Sequence, residues 1–264
     1  MTTPPPRLAL TRAISASLNR CALTHLERTP IDIARARAEH AAYESALRAI
    51  GYEVRQLPAA PELPDSVFIE DTAIVLDEIA VLARPGAPAR RLEVAAVAAA
   101  LSSHRRLEAI EAPGTLDGGD VLKVGSQLFI GRSSRTNDAG IEQMREIVSP
   151  LGLEVIAVDV LGCLHLKSAV TELAEGTILM NRRALEPTPF AGLRSIDVDP
   201  TEPNAANVLR TAGIVIMPSE YPKTRARIEA EGIRVVTVPQ EELAKAEGGV
   251  TCGSLLIHGT RRAR

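Results

Sequence analysis

The amino-acid sequence predicts an α/β or α+β fold that is built from repeated strand–helix modules. Short apolar runs typical of strands recur along the whole chain, and single helical patterns separate pairs of them. A chain of 264 residues is long enough to bury a large core as one domain or two. No linker or low-complexity stretch divides the chain, so we expect one domain over residues 1–264.

The predicted elements follow one another in a regular order. Ten apolar runs of four or five residues predict strands at 7–11, 72–76, 80–83, 121–124, 127–131, 154–158, 177–180, 214–217, 234–238 and 254–258. Apolar residues at helical spacing predict helices at 31–50, 89–103, 137–151 and 222–231. Gly51 and Gly232 follow two of these helices as C-terminal caps, and Asn137 or Asp138 is expected to cap another at its start. Residues 186–204, with four prolines, are the one candidate for a long loop.

Composition argues against several functional classes. The net charge is −3 and the basic residues are scattered, so the sequence predicts no nucleic-acid partner. The longest apolar run, residues 94–101, is too short to cross a membrane. Three cysteines without a CxxC pair form neither a disulfide framework nor a zinc motif, and residues 1–6 carry no apolar signal region. A reducing, cytoplasmic setting is therefore expected. The oligomeric state is left open, and a homodimer is compatible with it.

An acidic segment at residues 64–72 is the first candidate for a functional site. Asp65, Glu70 and Asp71 lie within seven positions, interleaved with Val67, Phe68 and Ile69. If the segment enters a strand, alternation puts Asp65 and Asp71 on one face and Glu70 on the other. An acidic surface turn is the ordinary interpretation. The apolar frame instead favours a buried site in which paired carboxylates bind a cation such as guanidinium.

Three further positions carry residues with catalytic chemistry. Asp117 precedes a double glycine, which indicates a turn first and a close backbone approach to a ligand second. His165 stands between two leucines, and Cys252 follows a double glycine near the C-terminus. A lone histidine or cysteine in such company is usually a core residue. The two together also fit a nucleophile and an acid/base that meet only in the folded chain.

Taken together, these segments resemble the dimethylarginine dimethylaminohydrolase (dimethylargininase) family of the guanidino-group-modifying superfamily. The resemblance runs in family order over nearly the whole chain. Its segments are the Leu23-Thr24-His25 region, PDSVFIEDTAIV, ARPGAPARR, APGTLDGGDVL, IGRSSRTN, LHLKSAVTEL, EPNAANVL, VIMPSEYPKTR and EGGVTCGSLLI. The resemblance implies a five-bladed α/β propeller, the pentein fold, with pseudo-five-fold symmetry and an active site in the central channel.

The resemblance also implies a role for each matching residue. Cys252 matches the nucleophile, His165 the general acid/base and Asp117 the carboxylate that orients the histidine. The implied substrate contacts are Glu70 and Asp71 to the guanidinium, Asp65 and the Leu23 backbone to the α-amino group, Arg84 and Arg135 to the α-carboxylate, and the Ala246 backbone near the reacting group. The implied substrate is a small molecule, mono- or dimethylated arginine, which is cleaved to citrulline and a methylamine through a covalent thiouronium intermediate. No metal or cofactor is required by this chemistry.

Two alternatives remain at this stage. A related hydrolase, arginine deiminase-like or citrulline-cleaving, would share the cysteine and histidine, although deiminases usually carry an added helical region for which 264 residues leave no room. Agmatine-directed relatives would not need two arginines for a carboxylate. A non-catalytic propeller, like the ribosome anti-association factor of that fold, would not need the nucleophile, the acid/base and both carboxylates together.

Overall fold

The computed structural model describes residues 7–259, and the segment at residues 1–6, where we expect no signal region, lies outside them. The described strands are β1 (Arg7–Arg12), β2 (Glu53–Leu57), β3 (Ala73–Val75), β4 (Ile79–Leu82), β5 (Arg106–Ala109), β6 (Val121–Val124), β7 (Gln127–Arg132), β8 (Glu154–Asp159), β9 (Val170–Ala174), β10 (Thr177–Met180), β11 (Arg194–Asp197), β12 (Leu209–Thr211), β13 (Ile214–Pro218), β14 (Val235–Val238) and β15 (Leu255–His258). The described helices are α1 (Ile33–Ala49), α2 (Val94–Leu101), α3 (Asp138–Val148), α4 (Leu166–Ala169), α5 (Pro222–Ala230) and α6 (Glu241–Ala244).

Five three-stranded sheets repeat one plan. In each sheet a central strand pairs antiparallel with an inner strand and parallel with an outer strand. The strand orders are β15-β1-β2, β3-β4-β5, β6-β7-β8, β9-β10-β11 and β12-β13-β14. The pairing of β1 with β15 joins the two ends of the described chain in one blade and closes the ring. The five-bladed α/β propeller that the resemblance implies is therefore confirmed.

The parallel pairing within each blade requires a crossover connection, and four blades use a helix for it. These crossover helices are α1, α2, α3 and α5. The Asn137 side chain accepts the Gly140 N–H at 2.9 Å, so the predicted cap of α3 is confirmed. Gly51, just after α1, has a φ of 95°, as a C-terminal cap requires.

The fourth blade replaces its crossover helix with a short 3₁₀ turn, Thr188–Phe190. Strand β11 follows it, so the prediction of one long loop over residues 186–204 was wrong in part. The sequence did not predict this strand because RSID has half-buried and exposed positions and no strong apolar alternation. Strands β2, β5, β9 and β12 were not predicted either, whereas all five central strands were.

The inner strands β3, β6, β9, β12 and β15 come together around the propeller axis. A short turn or helix leads into four of them: Ile69–Thr72, Gly118–Asp120, α4 and Thr251–Gly253, which contact one another. The segment before β12 occupies the fifth equivalent position. Side chains from distant parts of the chain therefore meet at one end of the axis. None of the described helices has the length and apolar character needed to span a bilayer.

Candidate active site

A small cavity at this end of the axis gathers most of the predicted site. Its wall contains Ala22, Asp65, Phe68, Asp71, Arg90, Arg135, Leu164, His165, Ala246, Glu247 and Cys252. Six of these residues were predicted from the sequence, and Asp117 lies directly behind His165. Three predicted residues, Leu23, Glu70 and Arg84, are not part of the described wall, and their substrate contacts stay predictions.

Asp71 lies in a 3₁₀ turn, Ile69–Thr72, so the expected strand was wrong, although Asp65 and Asp71 do line one cavity and Glu70 does not. Its Oδ1 atom accepts the Gly119 N–H at 2.9 Å, and its Oδ2 atom accepts from Arg90 Nη1 at 2.6 Å. Burial acts to raise the pKa of Asp71, but the positive charges of His165 and Arg90 outweigh it and lower the pKa to about 2. Asp71 is thus a fixed, ionised carboxylate inside the cavity.

His165 is the N-cap residue of helix α4, and its ring lies next to two carboxylates. Its Nε2 atom lies 3.1 Å from Oδ2 of Asp117, and its Nδ1 atom lies 3.9 Å from Oδ1 of Asp71. The Gly86 N–H donates to the other Asp117 oxygen at 2.8 Å and so fixes that carboxylate. Burial opposes the imidazolium, but the charge of Asp71 and the hydrogen bond to Asp117 raise the pKa of His165 to about 9. A protonated His165 can act as a general acid.

The double glycine after Asp117 brings two site elements into contact. A Cβ atom at Gly118 would lie 2.0 Å from the Glu70 carbonyl oxygen. A Cβ atom at Gly119 would lie 2.6 Å from His165 Nδ1 and 2.8 Å from Asp71 Oδ1. The glycines therefore allow the acidic turn, the histidine ring and the Gly118–Asp120 turn to pack together. The close approach that the sequence suggested is to protein atoms.

Cys252 lies in the Thr251–Gly253 turn and is buried. The Gly249 N–H donates to its Sγ atom at 3.4 Å. Burial, followed by the negative charges of Glu70 and Asp71, raises the pKa of the thiol to about 12. Cys252 is therefore a neutral thiol in the free enzyme, and a cation bound beside the sulfur would favour the thiolate.

The arginine from the ARPGAPARR segment that lines the cavity is Arg90 and not Arg84. Arg84 is half-buried and donates to the Gly114 carbonyl oxygen at 3.0 Å. Arg90 is buried, donates to Asp71, and also binds Glu93 at 2.9 Å. The segment contains three arginines, Arg84, Arg90 and Arg91. The signal that favours Arg90 is its buried pairing with a site carboxylate, which only the folded chain reveals.

Glu70 faces away from Asp71, across the channel. Its Oε1 atom accepts from Lys167 Nζ at 2.5 Å and its Oε2 atom accepts from Thr251 Oγ1 at 2.6 Å. Glu70, Lys167 and Thr251 all line a second cavity on the opposite side of the channel. The Glu70–Lys167 ion pair thus separates the active-site cavity from the other end of the channel.

A loop at residues 22–26 is bound by three charged residues of the cavity wall, to which Ala22 of the loop also belongs. Asp65 accepts the Ala22 N–H at 3.1 Å, and Arg135 donates to Thr24 Oγ1 at 3.2 Å. Glu247 accepts the backbone N–H groups of residues 24, 25 and 26 at 2.5–3.1 Å. Glu247 was given no role from the sequence, although it belongs to the EGGVTC motif. Its φ of 59° is unusual for a residue with a side chain, and this backbone angle is the structural signal that singles out Glu247.

Asp71, Asp117 and His165 each place one potential ligand atom within 4.8 Å of the others, which is a spacing that a metal ion could use. Two observations favour proton chemistry for this cluster. The Arg90 guanidinium already binds Asp71, and Arg135 Nη1 lies 4.0 Å from Asp117 Oδ2, so the cluster is next to two cations. A further cation there would be opposed by both charges.

A five-bladed α/β propeller with a buried cysteine, a carboxylate-oriented histidine and a second carboxylate on its axis defines a guanidino-group-modifying enzyme. The model of the family described as N,N dimethylarginine dimethylhydrolase, eukaryotic, matches residues 7–180. The chain is 40% identical over 254 residues to the N(G),N(G)-dimethylarginine dimethylaminohydrolase of Streptomyces coelicolor, covering 96% of this chain and 98% of that protein. The enzyme of the same name from Pseudomonas aeruginosa is 36% identical over 226 residues, which cover 85% of this chain and 89% of that one. The chain belongs to the dimethylarginine dimethylaminohydrolase family.

Solved structures agree with this assignment. The Pseudomonas aeruginosa enzyme, as a cysteine-to-serine variant complexed with citrulline, superimposes with a TM-score of 0.90 at 34% identity, covering 96% of this chain and all of that one. A histidine-to-glycine dimethylarginine dimethylaminohydrolase, as an adduct with S-methyl-L-thiocitrulline, gives 0.88 at 34% identity over 94% and 98% of the two chains. The N-terminal domain of a cyanobacterial arginine dihydrolase gives 0.84 at 18% identity, over 96% and 98%, and shares the fold.

Proposed function

We propose that this protein hydrolyses Nω-methylated arginine to citrulline and a methylamine, with Cys252 as the nucleophile. The observation that carries the proposal is the convergence of Cys252, His165 and Asp71 on one buried cavity, with Asp117 behind the histidine. Family membership and the relatives crystallised with citrulline and S-methyl-L-thiocitrulline support it. We also propose that residues 1–264 act as one catalytic unit in the cytoplasm, where the three free cysteines would stay reduced.

The guanidinium is planar, cationic and poorly electrophilic, so the site must fix it and supply a strong nucleophile. The ionised Asp71 carboxylate orients the cation, and the cation in turn favours the Cys252 thiolate. Because His165 is already protonated, the thiol proton is released to solvent when substrate binds and is regained after product release. The thiolate attacks the central carbon and forms a C–S bond in a tetrahedral adduct. His165, protonated in the free enzyme, gives its proton to the departing amine as the C–N bond breaks.

The second half of the reaction uses the same residues in reverse roles. After the amine leaves, His165 is neutral and can accept a proton from a water molecule that attacks the thiouronium carbon. The C–S bond then breaks, which releases citrulline and the cysteine. Asp117 keeps the imidazole ring oriented in both halves because it binds Nε2 throughout.

Recognition of the amino-acid end is assigned to the loop side of the cavity. Asp65 would bind the α-amino group and Arg135 the α-carboxylate, and both also bind the loop at residues 22–26. Ala246 lines the cavity beside Cys252, as expected of a backbone contact near the reacting carbon. We propose that Arg90 replaces Arg84 as the second cationic group of the wall, mainly through its hold on Asp71.

A substrate panel tests the proposal. Citrulline and amine release are measured with monomethylarginine, dimethylarginine, arginine, citrulline and agmatine, for the unsubstituted enzyme and for Cys252→Ser, His165→Gly and Cys163→Ser. We expect turnover of the methylarginines, loss of turnover in the first two variants, and retention in Cys163→Ser, whose thiol donates to the His165 carbonyl oxygen. Faster release from arginine would favour the deiminase alternative, and an active Cys252→Ser enzyme would overturn the mechanism.

A further inference from the structure

Asn207 belongs to the fifth blade, and no step of the proposed mechanism uses it. It lies just before β12, at the position that is occupied in the other blades by the turns that carry the catalytic residues. Its side chain is buried against the turn that carries Cys252. The segments before the inner strands of the other four blades carry Asp71, Asp117, His165 and Cys252, and the corresponding segment of the fifth blade carries an amide.

The Asn207 amide is bonded to two catalytic segments at once. Its Oδ1 atom accepts the Thr251 N–H at 3.0 Å. Its Nδ2 atom donates to Thr251 Oγ1 at 3.0 Å and to the Lys167 carbonyl oxygen at 3.0 Å. Thr251 directly precedes Cys252, and Lys167 is two residues after His165. Both N–H groups of the amide and one of its acceptor sites are therefore used to join the nucleophile segment to the histidine segment.

The contact with the nucleophile turn is also tight. A Cβ atom at Gly249 would lie 2.3 Å from Cγ and Oδ1 of Asn207, so the amide is packed directly against Gly249. Gly249 accepts the Cys252 N–H at 3.2 Å and donates its own N–H to Cys252 Sγ at 3.4 Å. Asn207 thus contacts this turn at two places. One is Gly249, which hydrogen-bonds to Cys252, and the other is Thr251, which directly precedes Cys252.

The amide itself has little freedom to move. Thr171, in β9, donates through Oγ1 to the Ala206 carbonyl oxygen at 2.6 Å and accepts the Val208 N–H at 3.3 Å. The backbone on either side of Asn207 is therefore bound to the blade that follows His165. Thr251 Oγ1 accepts from the amide and donates to Glu70, which binds Lys167, so a closed ring of hydrogen bonds lies beneath the cavity.

We propose that Asn207 is a positioning residue that sets the Cys252 sulfur against His165 and the bound guanidinium carbon. The proposal rests on the proposed function for its kinetic consequence, but the position of the sulfur can be measured without substrate. Asn207 does not line the cavity that holds Cys252 and His165, so its loss should affect KM much less than kcat. Displacement of the sulfur by about 1 Å would slow the chemistry on the order of a hundredfold.

The test compares Asn207→Ala and Asn207→Asp with two controls, one at a residue that binds the same segment and one within that segment. Asn181→Ala removes the bond from Asn181 Nδ2 to the Pro203 carbonyl oxygen at 2.9 Å, which anchors this segment away from Thr251. Asn204→Ala changes an exposed asparagine three residues away. For each variant, kcat and KM are measured with dimethylarginine. The rate of Cys252 alkylation by iodoacetamide is followed against pH by mass spectrometry of the Cys252 peptide.

We expect Asn207→Ala to lower kcat at least about thirtyfold with KM within about threefold, while both controls stay within about threefold in kcat. Its alkylation profile should move to higher pH, because a relaxed turn loses the Gly249 N–H bond to the sulfur. Asn207→Asp keeps the shape and the acceptor for Thr251 N–H, and carries the test if the alanine variant does not fold. Its carboxylate faces the Lys167 carbonyl oxygen, so kcat should fall here too.

Two results would overturn the proposal: a kcat of the folded Asn207 variants near that of the unsubstituted enzyme, or an equal loss in Asn181→Ala. If the unsubstituted enzyme releases no citrulline, the proposed function fails. The alkylation profiles then still decide the positioning role, with coincident profiles for Asn207→Ala and Asn181→Ala counting against it.

Discussion

Arg90 and Asp71 form a buried ion pair in which Nη1 lies 2.6 Å from Oδ2, at the wall of the active-site cavity. The same guanidinium also binds Glu93. All three side chains are buried, so water does little to solvate their charges. Removing it would leave two carboxylates without their cation in a region of low dielectric. The geometry of Asp71, and with it the orientation of the substrate, depends on this arginine.

We therefore predict that Arg90→Ala lowers the free energy of unfolding by about 3–5 kcal/mol, because it leaves buried charges unpaired. Arg90→Lys should fold better but still lose at least about tenfold in kcat/KM, since an ammonium cannot reproduce the forked contacts. Arg84→Ala removes one hydrogen bond to a carbonyl oxygen and should cost about 1 kcal/mol. Thermal denaturation and steady-state kinetics measure both effects. A larger kinetic loss in Arg84→Ala would restore the sequence-based assignment.

Asp117→Asn is predicted to lower kcat by roughly two to four orders of magnitude while leaving KM almost unchanged. The amide keeps the shape of the side chain but removes the charge that favours the His165 imidazolium. The basic limb of the kcat profile should also move to lower pH, because the pKa of His165 falls without that carboxylate. A pH profile that stays in place in an impaired variant would show that Asp117 acts on something other than the histidine.

The pH dependence of thiol reactivity should differ between the free and the substrate-bound enzyme. Burial raises the pKa of Cys252 to about 12, so alkylation of the free enzyme should rise about tenfold per pH unit through pH 9 without a plateau. A bound guanidinium favours the thiolate, so the acid limb of the kcat profile should lie at least about one pH unit below the pKa of the thiol in the free enzyme. Activity should decline above pH 9, where His165 loses its proton. A plateau of free-enzyme alkylation below pH 8.5 would contradict this account.

The sequence predicted the blades better at their centres than at their edges. Central strands such as β7, with Leu128, Phe129 and Ile130, are buried on both faces and give continuous apolar runs. Outer strands such as β2 and β5 are mostly exposed or half-buried, and EVRQL or RLEA carries no clear period. Those strands are held in place by their parallel neighbours, which a local pattern cannot show. Five blades followed from the resemblance alone.

The candidate site was predictable where a motif carried the chemistry and unpredictable where only packing decides. His165 and Cys252 are far apart in sequence, and their motifs marked them before the fold brought them to one cavity. The choice between Arg84 and Arg90 depended on which guanidinium is buried. Likewise, Glu247 and Asn207 act through bonds to residues that are remote in sequence. Their roles are therefore visible only in the folded structure.

The two aspartates of the cavity wall should affect different kinetic constants, because we propose that they hold opposite ends of the substrate. Asp71 is fixed by Arg90 and by the Gly119 N–H, and its free face is the one that the guanidinium must meet. Asp71→Asn removes the charge that orients the reacting carbon against the Cys252 sulfur. Since misplacement by about 1 Å costs on the order of a hundredfold in rate, kcat should fall strongly.

Asp65 accepts the Ala22 N–H of the loop at residues 22–26, and its proposed partner is the α-amino group. In Asp65→Asn the amide oxygen can still accept that N–H, so the loop should stay in place while the attraction for the substrate ammonium group is lost. We therefore expect Asp65→Asn mainly to raise KM, and the matched substitution at Asp71 mainly to lower kcat. Steady-state kinetics of the two variants with dimethylarginine decide the matter. Loss of kcat in Asp65→Asn with a normal kcat in Asp71→Asn would show that the two ends of the substrate are assigned the wrong way round.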